Sequence, residues 1–162
     1  MRDVSRWTCL LAALWLGLLL TVAALATPAA FTTLPTPQAG LVVARVLASE
    51  AATSLALGAV LLVLMRLRAR HYDRAASAAQ FNLDFGLALC GVFLTVVGYY
   101  AVLPLMDQAR AGLGRLSFAQ LHVASSDCYL LKICCVAVLA WRGSATSAAA
   151  RVRVNPPRSS SD

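Results

Sequence analysis

The residues best suited to chemistry lie in one stretch, Ser117–Trp141, SFAQLHVASSDCYLLKICCVAVLAW. Within an apolar run it holds Gln120, His122, Ser125, Ser126, Asp127, Tyr129 and Lys132. Phe118, His122, Ser125, Tyr129 and Lys132 follow one another at spacings of 4, 3, 4 and 3, which aligns all five on one face of a helix. Such a row of donors and acceptors can coordinate a polar solute or hand on a proton. The competing reading is structural: the hydroxyls bond to neighbouring helices, and Lys132 reaches toward the interface on its aliphatic stem.

Lys132 sets the hardest condition. It precedes Arg142 by about 15 Å of helix, which puts it inside the hydrocarbon rather than at its edge. A central lysine costs on the order of 3 kcal/mol on insertion scales, so a carboxylate or a wet cavity must meet it. Glu50 and Asp127 are the deepest carboxylates in the chain. Asp127 stands about 140° from Lys132 around the helix, a poor intrahelical partner. It is therefore expected to face another helix or an outer cavity, and Glu50, entering from the same side, is expected to approach His122 or Asp127. Glu50, His122, Ser125, Ser126, Asp127, Tyr129 and Lys132 form the candidate site.

Other chemistries find little support. His122 and His71 fall on opposite sides of the expected membrane, so a bis-His haem between helices lacks its second ligand. Cys128 and Cys135 share a stripe that could hold a soft metal, but unpaired cysteines in apolar segments usually serve as small packed residues. The five cysteines form no C-x-x-C and no disulfide framework. No P-loop, nucleophile elbow or H-E-x-x-H occurs, and a Ser–His pair on a membrane helix without a third member is a weak hint of hydrolysis. No cofactor or metal site is expected, and the residues leave enzymatic activity open while favouring a non-enzymatic role.

The elements that must position these residues follow from hydropathy. Of the 162 residues 60% are hydrophobic and 13% charged, an excess of apolar side chains that a soluble fold of this size would leave facing water. Four apolar runs, about 7–26, 43–65, 83–103 and 119–141, are each long enough to cross a bilayer. The fold expected is an all-α, integral membrane four-helix bundle. Thr27–Gly40, with three prolines, reads as a non-helical connector, Pro104 as the end of the third span, and Gln108–Arg115 as a short polar loop. Gly86, Gly91 and Gly98 lighten the third span for close packing, and Asp84 suits the dipole of its first turn. Tyr99 and Tyr100 suit an interfacial belt. Trp141 and Arg142 are expected to end the last helix, before a disordered tail over 143–162.

The net charge of +7 comes from arginines at the ends of apolar runs, which argues against nucleic acid and for membrane topology. Arg2, Arg6, Arg66, Arg68, Arg70, Arg74, Arg142, Arg151, Arg153 and Arg158 fall on one side, and only Arg45, Arg110 and Arg115 on the other. The positive-inside rule places both termini and the 66–82 loop in the cytoplasm. The start also carries features of a signal peptide, with Ala24-Leu25-Ala26 as a cleavage site, although its apolar core is longer than usual.

Several short motifs recur in a familiar order: Trp15-Leu16-Gly17, then Pro28-Ala29-Ala30-Phe31, Ala39-Gly40, Pro104, and Phe118-x-x-x-His122-x-x-Ser125. Over roughly residues 10–142 this order resembles the bacterial four-helix membrane family catalogued as domain of unknown function 4149. That family is itself similar to the eukaryotic transmembrane protein 205 group. The resemblance implies a four-span protein of the bacterial cytoplasmic (inner) membrane without established biochemistry. The association of the eukaryotic relatives with platinum-drug resistance and export adds slight weight to transport. A more distant likeness to copper-resistance D-type membrane proteins is undercut by the missing Met and His ligands. Carried over residue by residue, it covers only His122 and Ser125. Three readings stand: a small-solute or metal-stress transporter or accessory subunit, a haem- or metal-dependent redox protein, and a structural protein with no site. The partners expected are the bilayer, with a second copy or a larger membrane complex.

Overall fold

The computed structural model describes residues 2–70, 78–113 and 116–154, with side chains over 6–68, 83–113 and 116–145. All its regular elements are helical. The first span is α1 (Arg2–Thr21), a π-turn (Val22–Ala26) and α2 (Thr27–Thr33); the second is α3 (Thr36–Arg70). The third is α4 (Ala78–Val96), a π-turn (Val97–Val102) and α5 (Leu103–Arg110); the last is α6 (Phe118–Val154). Four of these helical stretches, Arg6–Thr33, Thr36–Arg68, Leu83–Arg110 and Phe118–Ala145, are long and apolar enough to cross a membrane. The protein is an all-α, multi-pass integral membrane bundle. One end carries Arg66 and Arg142 and is called the arginine end; the other carries Pro35 and Gly112 and is called the proline end.

Each span buries one stripe and turns the rest to lipid. On α1 the buried positions are Thr8, Ala12, Trp15 and Leu19, spaced as one helical face. On α3 they include Glu50, Ala51, Ser54, Leu61 and Met65, and on α6 Leu121, Lys132, Cys135, Val136 and Leu139. The first span packs on the second and the last, and the third packs on the same two, closing a four-membered ring. Trp15, fully buried, fills the centre with Leu19, Leu61 and Val136. Two glycines make room for its ring: a Cβ on Gly91 would come within 2.9 Å of it, and one on Gly58 within 3.3 Å. Gly86 and Gly98 have no such neighbour, so of the three glycines expected to pack closely only Gly91 does. Trp15 and Leu19 both precede Ala26, so the folded core is built on the segment a signal peptidase would remove.

The prolines behave differently from the sequence expectation. In an α-helix Pro28 would lack a bond and clash with the carbonyl of Ala24, and Pro104 with that of Tyr100. Each is preceded instead by a wider turn. The N–H of Thr27 donates to the Val22 carbonyl and that of Leu103 to the Gly98 carbonyl, five residues back, which moves the chain clear of the ring. The helices run on to Thr33 and Arg110. The long connector therefore shrinks to Leu34 and Pro35. Leu34 is extended (φ −122°, ψ 151°), as a residue before proline tends to be, and Pro37 sits in the first turn of α3.

The proline-end turn has a definite stop and start. The Leu113 N–H donates to the Gln108 carbonyl at 3.0 Å and the Gly112 N–H to that of Ala109 at 3.2 Å, with Gly112 at φ 74°. This is a Schellman stop, in which glycine takes the left-handed position without a Cβ penalty. Ser117 and Gln120 then cap α6 reciprocally, at 3.1 and 3.3 Å. At the arginine end α6 passes Arg142 and continues to Val154, where a disordered tail was expected. Residues 155–162 and His71 lie outside the described residues.

Candidate functional site

The last helix meets its neighbours through Lys132, which is only 3% exposed. Its ammonium donates to both carboxylate oxygens of Glu50, at 2.9 and 3.1 Å, and Glu50 is equally buried. Glu50 supplies the carboxylate that the depth of Lys132 demands. The hydroxyl of Ser54, one turn further along α3, donates to Glu50 Oε1. Ser54 in turn accepts the indole N–H of Trp15 at 2.8 Å. A continuous path of polar contacts thus crosses the bundle from α6 through α3 to α1. It leaves no buried side-chain nitrogen or oxygen unpaired among the described residues, as burial of charge requires.

Tyr129, one turn before Lys132, frames this pair. The Lys132 ammonium stands 4.7 Å from the centroid of its ring, within cation–π range. The Tyr129 hydroxyl donates to the Leu19 carbonyl at 3.2 Å, joining α6 to the first span. Beside the pair lies a cavity of about 50 Å³. Leu47, Glu50 and Ala51 line it from α3, Thr95, Gly98, Tyr99 and Leu103 from the third span, and Ser125, Cys128, Tyr129 and Lys132 from α6. The π-turn thus supplies part of the cavity wall. The volume suits a few water-sized groups, with a carboxylate, an ammonium and several hydroxyls at the wall.

The seven candidate residues separate into two groups. Glu50, Ser125, Tyr129 and Lys132 come together around the cavity. His122, Ser126 and Asp127 do not: all three are exposed. The His122 ring stacks on Phe118 with centroids 6.0 Å apart, and the Arg110 guanidinium lies 4.8 Å from the Phe118 centroid. The Ser126 hydroxyl donates to the carbonyl of His122 in its own helix. Glu50 therefore approaches neither His122 nor Asp127. The five-residue face divides because the third span covers the start of α6 on the side of Leu121, which packs on Val102 and Met106, and leaves Phe118 and His122 exposed, whereas Lys132 is buried beneath the other helices.

Two partners escaped the sequence reading, Trp15 and Ser54. Trp15 sits in an unbroken apolar run and reads as apolar. The signal for Ser54 was present: Glu50-x-x-x-Ser54 places a hydroxyl one turn from a carboxylate that must be buried. Elsewhere, Cys135 meets Cys90, Sγ to Sγ 3.7 Å, rather than sharing a site with Cys128. No three of the His, Cys, Asp and Glu side chains among the described residues come together as a metal site. At the arginine end Arg142 donates to Asp84 from α6, and the Arg66 guanidinium lies 5.9 Å from the Phe85 centroid. Asp84, seven residues into α4, serves an ion pair rather than the dipole of the first turn.

Residues 10–114, from α1 to just beyond α5, match the family described as "Domain of unknown function (DUF4149)". The chain belongs to that family. Trp15, Glu50, Ser54, Thr95 and Tyr99 all fall inside the DUF4149 match. The match ends before Phe118, so the α6 residues of the cavity, with His122 and Ser125, lie outside it. No curated protein and no solved structure matches the chain.

Proposed function

We propose that this DUF4149 protein is a small carrier of the bacterial cytoplasmic membrane, with its arginine end in the cytoplasm, and that the Glu50–Lys132 cavity is its solute site. The observation that carries the reading is an ion pair set at the wall of a cavity in the middle of a membrane bundle. Ionisable residues at such depth are rare and commonly mark a solute or proton path. Wholly structural polar contacts need no space beside them. Here Ser125, Tyr99 and Cys128 face that space with the charged pair. The size of the cavity favours a solute of few heavy atoms that both donates and accepts hydrogen bonds.

The test is flux into proteoliposomes, read by light scattering after osmotic shock with urea, glycerol, ammonium chloride or sodium acetate. Wild-type protein is expected to speed entry of at least one of these over empty liposomes. Cys128→Phe, which fills the cavity and keeps both members of the ion pair, is expected to abolish the gain. Equal flux through the Cys128→Phe protein would remove the cavity from the path.

A further inference from the structure

The two halves of the chain repeat one another. Gly17-Leu18-Leu19-Leu20-Thr21-Val22 in α1 returns as Gly91-Val92-Phe93-Leu94-Thr95-Val96 in α4. In both, the threonine hydroxyl donates to the carbonyl of that glycine, one turn back, at 2.8 and 2.9 Å. Each sequence runs into a π-turn, and in each a proline, Pro28 or Pro104, stands second after it. The following helices correspond as well. Ala48-Ser49 in α3 and Ala124-Ser125 in α6 stand at the same separation from Arg66 and Arg142. Those two arginines reach the adjacent residues Phe85 and Asp84, so they lie at one level. Residues 2–70 and 78–154 thus follow one plan, each a helical hairpin starting at the arginine end, and are called the two copies. Parallel repeats of this kind recur in membrane carriers, with the site at the interface of the repeats.

The contacts between the copies run along the bundle and differ in kind. Toward the proline end they include Lys132 with Glu50 and the Tyr129 hydroxyl with Leu19. At the centre the Trp15 ring packs on Gly91 of the other copy. Toward the arginine end Arg66 of the first copy reaches Phe85 of the second, and Cys9 of the first lies beside Gly143 of the second; Cys90 with Cys135 and Asp84 with Arg142 are contacts within the second copy. Both π-turns lie on the proline-end side of Trp15. A π-turn followed by proline is where a helix has lost its regular bonding and where it bends.

We propose that the Lys132–Glu50 pair is a latch between the two hairpins: when it parts, the proline-end halves swing apart at the π-turns about Trp15, and the cavity opens to that side. The inference deepens the carrier reading, since it supplies the entrance to the same cavity. The latch itself is tested with no solute present.

Cys128 lines the cavity and reports directly. Full-length protein in nanodiscs would be exposed to a charged, membrane-impermeant methanethiosulfonate, and labelling at each cysteine followed by peptide mass spectrometry. Glu50→Gln is expected to speed labelling of Cys128 at least tenfold, and the swapped pair Glu50→Lys with Lys132→Glu to return it toward the wild-type rate. Cys90 and Cys135 are expected to keep their rates throughout. An unchanged Cys128 rate in folded Glu50→Gln protein overturns the latch, and so does a parallel rise at Cys90 and Cys135, which would mark general loosening. Should Glu50→Gln not fold, Pro104→Ala gives the second arm. Restoring a backbone donor stiffens the joint and is expected to slow Cys128 labelling several-fold, and an unchanged rate overturns the proposal. Latch-dependent labelling in a protein that carries none of the four solutes would support the latch and overturn the carrier reading.

Discussion

Lys132 and Glu50 can each be buried because the other is present. Removing one partner leaves a charge without compensation, whereas removing both leaves an apolar contact of similar size. Lys132→Met alone is therefore expected to lower stability by about 3–5 kcal/mol, and Lys132→Met with Glu50→Leu to recover most of that loss. Unfolding of the four proteins of this cycle in one detergent measures it, and additive losses would contradict the pairing. At this scale the sequence was informative where a cost forced a partner. Lys132 lies too deep to be alone, and Glu50 was one of two carboxylates at hand. The sequence was silent where helical periodicity had to say which part of a stripe is covered. His122 and Tyr129 share a face, yet one stacks in the open on Phe118 and the other reaches Leu19.

At the level of the helix, the four spans were legible from hydropathy, and the passage of two of them through Pro28 and Pro104 was not. Proline ends an α-helix by a local clash, and the rule holds for α geometry. Widening to a π-turn evades the clash, at a loss of helical regularity that contacts with neighbouring helices offset. Val102 and Met106, either side of Pro104, are both buried with Leu121 of α6. Glycine was also ambiguous in one dimension, because only the partner helix tells a packed glycine from a merely small one. Gly91→Ala drives a methyl to 2.9 Å from Trp15 and is expected to destabilise by about 1–3 kcal/mol, the range for overpacking. Gly86→Ala meets nothing within 4 Å, and gains roughly 0.5–1 kcal/mol from helix propensity. Thermal unfolding of the two variants side by side checks the contrast, and a similar shift in both would contradict the packing described around Trp15.

For the whole molecule, the arrangement of charge carries the prediction. Arginines cluster at the end where both hairpins begin, and the proline end has few. Under the positive-inside rule a fluorescent protein fused after Asp162 is expected to light up, and alkaline phosphatase inserted after Gly112 to be active. The reverse pattern would invert the molecule and point the latch at the cytoplasm. The shared plan of the two hairpins is hard to see in the sequence because they match in only a few positions. Those positions gain meaning when the paired hydroxyl bonds and paired π-turns are seen together. The site itself is unequal between the copies. Lys132 has no counterpart lysine in α3, so one cavity rather than two follows from the repeated scaffold.

The three tryptophans divide by surroundings as sharply as the helices do. Trp7 and Trp141 are 60% and 77% exposed, while Trp15 is sealed in the core with its N–H on Ser54. The folded molecule thus contains two fluorophores that lipid-borne quenchers can touch and one that they cannot. The unquenched fraction of its emission, the part that bromine-labelled acyl chains fail to extinguish, comes from the residue on which the two hairpins pack. The protein therefore carries its own optical gauge of the sealed core, with no dye attached.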